Sequence, residues 1–143
     1  MGRIGIDIVQ VSQVEDSIAA FGARYVTRIY TPREVIDAGG SPARLAARFA
    51  AKEATLKVLS AGDRGIDFRS IEVVRREDGE PTLVLRGTAH DLAVEAGLSG
   101  FEISLSHDGE YATAVVLADL IAPPLERRTA RRRYGQRRGQ RCR

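Results

Sequence analysis

One helical stretch constrains this chain more than any other. On a wheel of 100° per residue, Leu45, Phe49, Leu56 and Leu59 fall within about 80° of one another and form an apolar stripe. Lys52 lies inside that stripe, where a lysine is out of place. Glu53 sits at its edge, and Lys57, four residues on, covers it on the same face. A carboxylate and two lysines at the margin of a buried face suggest a site for a metal ion and a polyanion. Taken alone, Glu53 and Lys57 read equally as an i,i+4 salt bridge, and Lys52 as a lysine snorkelling from a core position.

The surrounding pattern predicts an α+β domain. In residues 3–9, Ile4, Ile6 and Ile8 share one face of a strand, and Asp7 points the other way with Gly5 and Val9. Residues 11–29 read as a helix, with Ser12 as N-cap, Glu15 at capping-box spacing and a break at Gly22. Thr31-Pro32-Arg33-Glu34 marks a second helix start, and Gly39-Gly40 its end. Ser41-Pro42 opens the long helix, to about residue 60, followed by a loop from Gly62 to Gly65. Residues 69–76 and 81–86 flank Asp78-Gly79 as a hairpin. A short helix over 88–96 precedes two strands, 101–106 and 111–118. The order β-α-α-α-β-β-α-β-β implies a mainly antiparallel sheet packed on the long helix, in one domain over residues 1–120.

Charge divides the chain in two. Residues 123–143 hold nine arginines and one glutamate, +8, whereas residues 1–122 hold 13 Lys+Arg and 18 Asp+Glu, −5. The net +3 is therefore an acidic body with an Arg-rich tail, residues 121–143, which reads as disordered. One cysteine, Cys142, excludes an internal disulfide and any Cys-based zinc site. No apolar run reaches the roughly 18–20 residues needed to span a bilayer, and the N-terminal segment lacks signal-peptide form, so the expected location is cytoplasmic and no membrane partner is expected.

Asp7, mid-strand between isoleucines, reads as a solvent-facing residue or as an acid held rigidly for a metal. With Glu53 it supplies two carboxylates, which with waters and phosphate oxygens make the usual Mg²⁺ arrangement. Lys52 and Lys57 are point charges suited to phosphate. His107 follows Ser104-Leu105-Ser106 at a strand end and by itself reads as a turn residue. No P-loop, Gly-x-Gly-x-x-Gly or HExxH is present.

Three segments in order carry a family resemblance: Gly-Ile-Asp-Ile-Val at 5–9, Arg-Phe-Ala-Ala-Lys-Glu-Ala at 48–54 with Lys57, and Ser-Leu-Ser-His-Asp at 104–108. Together they resemble the bacterial holo-acyl-carrier-protein synthases, the small 4′-phosphopantetheinyl transferases, over about residues 3–118. The resemblance implies transfer of 4′-phosphopantetheine from coenzyme A to a serine of an apo acyl carrier protein, releasing adenosine 3′,5′-bisphosphate. It implies Mg²⁺ on Asp7 and Glu53, the two catalytic carboxylates. It implies coenzyme contacts from Lys57, Lys52, Arg48, Gly62, Ser106 and His107, and a homotrimer with sites between protomers. Phosphoryl transfer asks mainly for positioning and charge neutralisation, and the partner brings the nucleophile, so no triad is needed. Gln13 stands where the family often has Arg, which leaves Arg24 and Arg28 as the basic positions for the carrier. Ser60-Ala61-Gly62 replaces a more Gly-rich turn.

Two rival readings exist. The Arg-rich tail suits nucleic-acid phosphates, although the acidic body shows no recognised nucleic-acid motif and nucleic acid is not the expected partner. A non-catalytic trimeric relative is opposed by the presence of Asp7, Glu53, Lys57 and His107.

Overall fold

The larger residues of the first strand are not the buried ones. In the structure, a computed structural model describing residues 1–121, β1 (Gly2–Gln10) leaves Ile4, Ile6 and Ile8 exposed and turns Gly5, Asp7 and Val9 toward the helical layer. The reason is proximity. The long helix α4 (Pro42–Leu59) lies so close to β1 that a Cβ on Gly5 would run into the carbonyl oxygen of Ala54. Small side chains dominate between the layers: Ala112, Ala114 and Ala118 from the sheet, and Ala47, Ala50, Ala51 and Ala54 from the helix are all buried, with Val116 and Val58 among them. The helix is consequently buried well beyond the leucine stripe. Phe49 and Leu56, which the wheel puts within it, are only half-buried.

After β1 come α1 (Val11–Phe21) and α2 (Ala23–Ile29), divided at Gly22, whose φ of 55° ends one helix and starts the next. The expected Ser12 cap with Glu15 is not formed. The strand runs to Gln10, paired with Tyr111, and the Val11 N–H donates to the Glu110 carbonyl. The helix therefore starts one residue before Ser12, without a side-chain cap. α3 (Pro32–Ala38) does carry a full capping box between Thr31 and Glu34, and Gly39 ends it in the left-handed conformation.

A 3-10 turn (Phe68–Ser70) leads into β2 (Ile71–Arg75), which pairs antiparallel with β3 (Pro81–Leu85) as a separate two-stranded sheet. α5 (Gly87–Glu95) connects to β4 (Leu98–His107) and β5 (Tyr111–Leu120). The main sheet has the order β1-β5-β4, all antiparallel, with a register shift between Ser99 and Glu102. The architecture is α+β in a single domain, antiparallel sheets against one central helix. The Arg-rich tail, from residue 122 on, lies outside the described residues. No helix among the described residues is long and apolar enough to cross a membrane.

Candidate active site

The packing of α4 on β1 brings Asp7, Glu53 and Lys57 together. Asp7 faces the helix, its side chain 20% exposed, and its carbonyl accepts from Thr113 Oγ1 at 2.8 Å on the neighbouring strand. Lys57 comes from the last turn of α4. Its Nζ donates to the Ile6 carbonyl (2.6 Å) and to Asp7 Oδ1 (3.1 Å). The i,i+4 partnership with Glu53 that the helix alone suggested is thus replaced by a tertiary one, because the adjacent strand offers a carboxylate and a carbonyl at once. Glu53 is half-buried. Its carboxyl is pushed above the usual glutamate range by burial and then by the negative charge of Asp7, against the opposing pull of Lys57.

These two carboxylates suit a divalent cation. Asp7 raises the cost of the Glu53 charge, and a cation between them relieves it. Among the described residues no cluster of three or more His, Cys, Asp or Glu side chains is present. Two carboxylates match a hard cation that keeps waters and takes its remaining ligands from phosphate oxygens.

Lys52 has to be corrected as a coenzyme contact. Its side chain has no exposed surface, and its ammonium donates to Glu34 Oε1 (2.7 Å), to the Phe68 carbonyl (2.9 Å) and to the Ile71 carbonyl. An ammonium has three donors and all three are taken within the chain. Glu34 in turn accepts from the backbone N–H of Thr31 (3.0 Å) and, on Oε2, of Val73 (3.2 Å). This buried pair ties α3, α4 and β2 at the helix position preceding Glu53. Sequence reasoning saw Glu34 only as a capping acid. The missed signal was Lys52 itself, since a lysine confined to a core needs a buried carboxylate.

Arg48 and His107 belong to a different place. With Arg44, Arg75, Asp37 and Leu105 they line a cleft of about 290 Å³. Arg48 is 6% exposed, and its Nη1 donates to the Arg44 carbonyl (3.1 Å). Its buried Nε has no hydrogen-bond partner, an arrangement that suits an incoming acceptor. Arg44 and Arg75 stand nearby, and burial, more than these like charges, holds the Arg48 guanidinium below its usual range. The cleft shares Asp37 and Arg75 with a larger surface cleft of about 960 Å³ along Arg33 and Arg76.

Ser106 and His107 are exposed and, as strand neighbours, project to opposite faces of β4. Ser106 pairs with Thr113, which pairs with Ile8, on the outer face; His107 is level with Ala112 and Val9 on the helix side. Asp108 is a turn residue. Its carboxylate accepts from the N–H groups of Glu110 (3.0 Å) and Tyr111 (2.8 Å), and the latter bond is the main cause of its lowered pKa. His107 ends β4, at the sheet edge opposite β1, and Arg48 lines its cleft, whereas Asp7 and Lys57 meet where β1 contacts α4.

Gly62 is exposed with a φ of 55°, and Ser60 before it is the one described non-glycine residue with positive φ, at 51°. Arg24 and Arg28 are exposed on α2 and line a cleft of about 630 Å³ with Phe21, Tyr25 and Phe68.

The sequence and the fold match known proteins closely. A family model described as the 4′-phosphopantetheinyl transferase superfamily matches residues 3–116. A holo-[acyl-carrier-protein] synthase of Gloeobacter violaceus is 42% identical over 118 residues, covering 80% of this chain and 89% of the relative. One from Halothermothrix orenii is 40% identical over 119 residues, covering 81% and 95%. Among solved structures, the Helicobacter pylori holo-[acyl-carrier-protein] synthase in complex with coenzyme A superposes with a TM-score of 0.74 at 27% identity, covering 82% of this chain and 100% of that one. The Neisseria meningitidis enzyme of the same name gives 0.71 at 35% identity, covering 81% and 96%. This chain belongs to the 4′-phosphopantetheinyl transferase superfamily. Within it, these relatives are all holo-[acyl-carrier-protein] synthases.

Proposed function

We propose that the chain works as an Mg²⁺-dependent holo-acyl-carrier-protein synthase whose active sites are completed between protomers of a homotrimer. The reaction is the one its family membership assigns: coenzyme A gives 4′-phosphopantetheine to a serine hydroxyl of an apo carrier protein, and adenosine 3′,5′-bisphosphate leaves. The observation that carries the reading is the joining of Asp7, Glu53 and Lys57 at the contact of β1 with α4.

Asp7 and Glu53 hold the cation. Bound there, Mg²⁺ would neutralise the pyrophosphate and the charge that grows on the leaving bisphosphate. Lys57, on a flexible stem and more than half exposed, holds a phosphate oxygen. Glu53 accepts the proton of the carrier serine, directly or through water. Arg48, with its unpartnered Nε, and His107 bind the phosphorylated nucleoside end of coenzyme A, with Ser106 and Gly62 bordering the coenzyme. Arg24 and Arg28 meet the acidic carrier, and the neighbouring Phe21, 60% exposed, offers it an apolar contact.

The placement of Asp7 and His107 on opposite sheet edges supports a site made by two chains. The outer sheet face supports the assembly: Ile4, Ile6, Ile8 and Leu117 are 68%, 60%, 66% and 47% exposed, and Ile4 is level with Leu117. Such a continuous apolar surface favours self-association. A cytoplasmic location fits the substrates.

The decisive experiment mixes the chain with coenzyme A, Mg²⁺ and an apo acyl carrier protein. The carrier serine should gain roughly 340 Da, the mass of the phosphopantetheine arm. Absence of that gain with several carriers, or full activity in Glu53→Ala, would overturn the reading.

A further inference from the structure

Lys57 already neutralises one of the two carboxylates assigned to the cation. Its ammonium is held by the Ile6 carbonyl and Asp7 Oδ1, at 2.6 and 3.1 Å, while its side chain stays 55% exposed. Asp7 is 20% exposed and has no other charged partner among the described residues. A divalent cation arriving alone must therefore expel an ammonium from Asp7 into water. A cation arriving with a diphosphate brings a new anion for that ammonium to bind, a short swing of the lysine stem away. Glu53 lies on the preceding turn of α4, next to Lys52, whose buried pair with Glu34 fixes the helix backbone there.

We propose that Lys57 is an exchangeable counter-ion, on Asp7 when the site is empty of diphosphate and on a phosphate oxygen when coenzyme and cation are bound. The inference rests on the assignment of Asp7 and Glu53 to the cation. It makes the cation and the diphosphate bind cooperatively, each raising the affinity for the other by the same factor.

Mn²⁺, titrated by electron paramagnetic resonance with and without coenzyme A, reads this without catalysis. The wild-type chain should bind free Mn²⁺ weakly and gain at least about tenfold with coenzyme A present. Lys57→Met should bind free Mn²⁺ about tenfold more tightly than wild type, bind coenzyme A more weakly, and show a smaller gain between the two. Lys57→Arg, which keeps the charge on Asp7, should restore weak binding of free Mn²⁺. Free Mn²⁺ affinity in Lys57→Met equal to or below wild type overturns the exchange. If Asp7→Asn leaves Mn²⁺ binding intact with coenzyme A present, the cation assignment fails and the exchange with it. Asp7-dependent binding that Lys57→Met does not tighten refutes the exchange alone.

Discussion

Lys52 Nζ lies 2.7 Å from Glu34 Oε1, and neither side chain has any exposed surface. Burial pulls the Lys52 ammonium below its usual range, and Glu34 is the main force opposing that. Two backbone carbonyls and two backbone N–H groups complete the pair's hydrogen bonds. The Lys52 Nζ also lies 6.0 Å from the Tyr30 ring centroid. A buried pair this well satisfied is costly to break from one side, because the survivor is left as an uncompensated charge. Lys52→Met and Glu34→Leu should each lower stability by about 3–5 kcal/mol. The double variant Lys52→Met/Glu34→Leu should lose much less than the sum. Urea denaturation of the three variants gives the coupling.

Glu53→Gln should abolish transfer yet stabilise the metal-free protein. The folded state holds the Glu53 proton more tightly than the unfolded chain, whose value is near 4.5. Stability contributed at this position is therefore lost as pH rises from the unfolded value through the raised folded one. At about pH 8 the ionised Glu53 is a net cost, which the glutamine removes; below about pH 4 the two proteins should converge. Thermal melts with chelator across that range check the sign. For the same reason, cation binding should weaken on acidification sooner than an ordinary glutamate would require.

Mixing two inactive variants should restore activity. Glu53→Gln damages the carboxylate cluster beside Asp7, and Arg48→Ala the cleft that Arg48 shares with His107. If each site takes one side from each of two chains, random mixed assembly leaves about a quarter of sites intact. Activity of the co-refolded mixture against each variant alone is the measurement. Sites confined within one chain would give no recovery.

Ile6→Lys should give a folded monomer with little activity. Ile6 is 60% exposed in the isolated chain, so the folded monomer tolerates a charge there, but a charge in the middle of the proposed interface does not survive association. Light scattering gives the mass, and circular dichroism checks the fold.

Arg24→Glu/Arg28→Glu should raise the KM for the carrier about tenfold or more with little change in that for coenzyme A. Both arginines are exposed and lie on α2, apart from the carboxylate cluster. The wild-type carrier KM should also rise with salt, as attraction between exposed charges is screened.

Much of this protein is readable in its order of residues. The helix starts at Pro32 and Pro42, the end at Gly39, the break at Gly22 and the hairpin over Asp78-Gly79 are local signals obeyed locally. The three motifs, in order, identify the family. The Ser12 cap failed because strand pairing at Gln10–Tyr111 extended the preceding element.

What only the tertiary structure decided is who meets whom around α4. One helix seen alone pairs Lys57 with Glu53 and leaves Lys52 free for a ligand. Packed against β1, Lys57 turns to Asp7, fifty residues away in sequence; packed against α3 and β2, Lys52 is fully used by Glu34 and two carbonyls. The first outcome follows from the closeness that Gly5 and the alanines permit, the second from the rule that a buried charge takes whatever partners the fold brings within reach. The residue types and their spacing determined the chemistry available. Long-range packing set Lys57 beside Asp7 and locked Lys52 into the frame around α4.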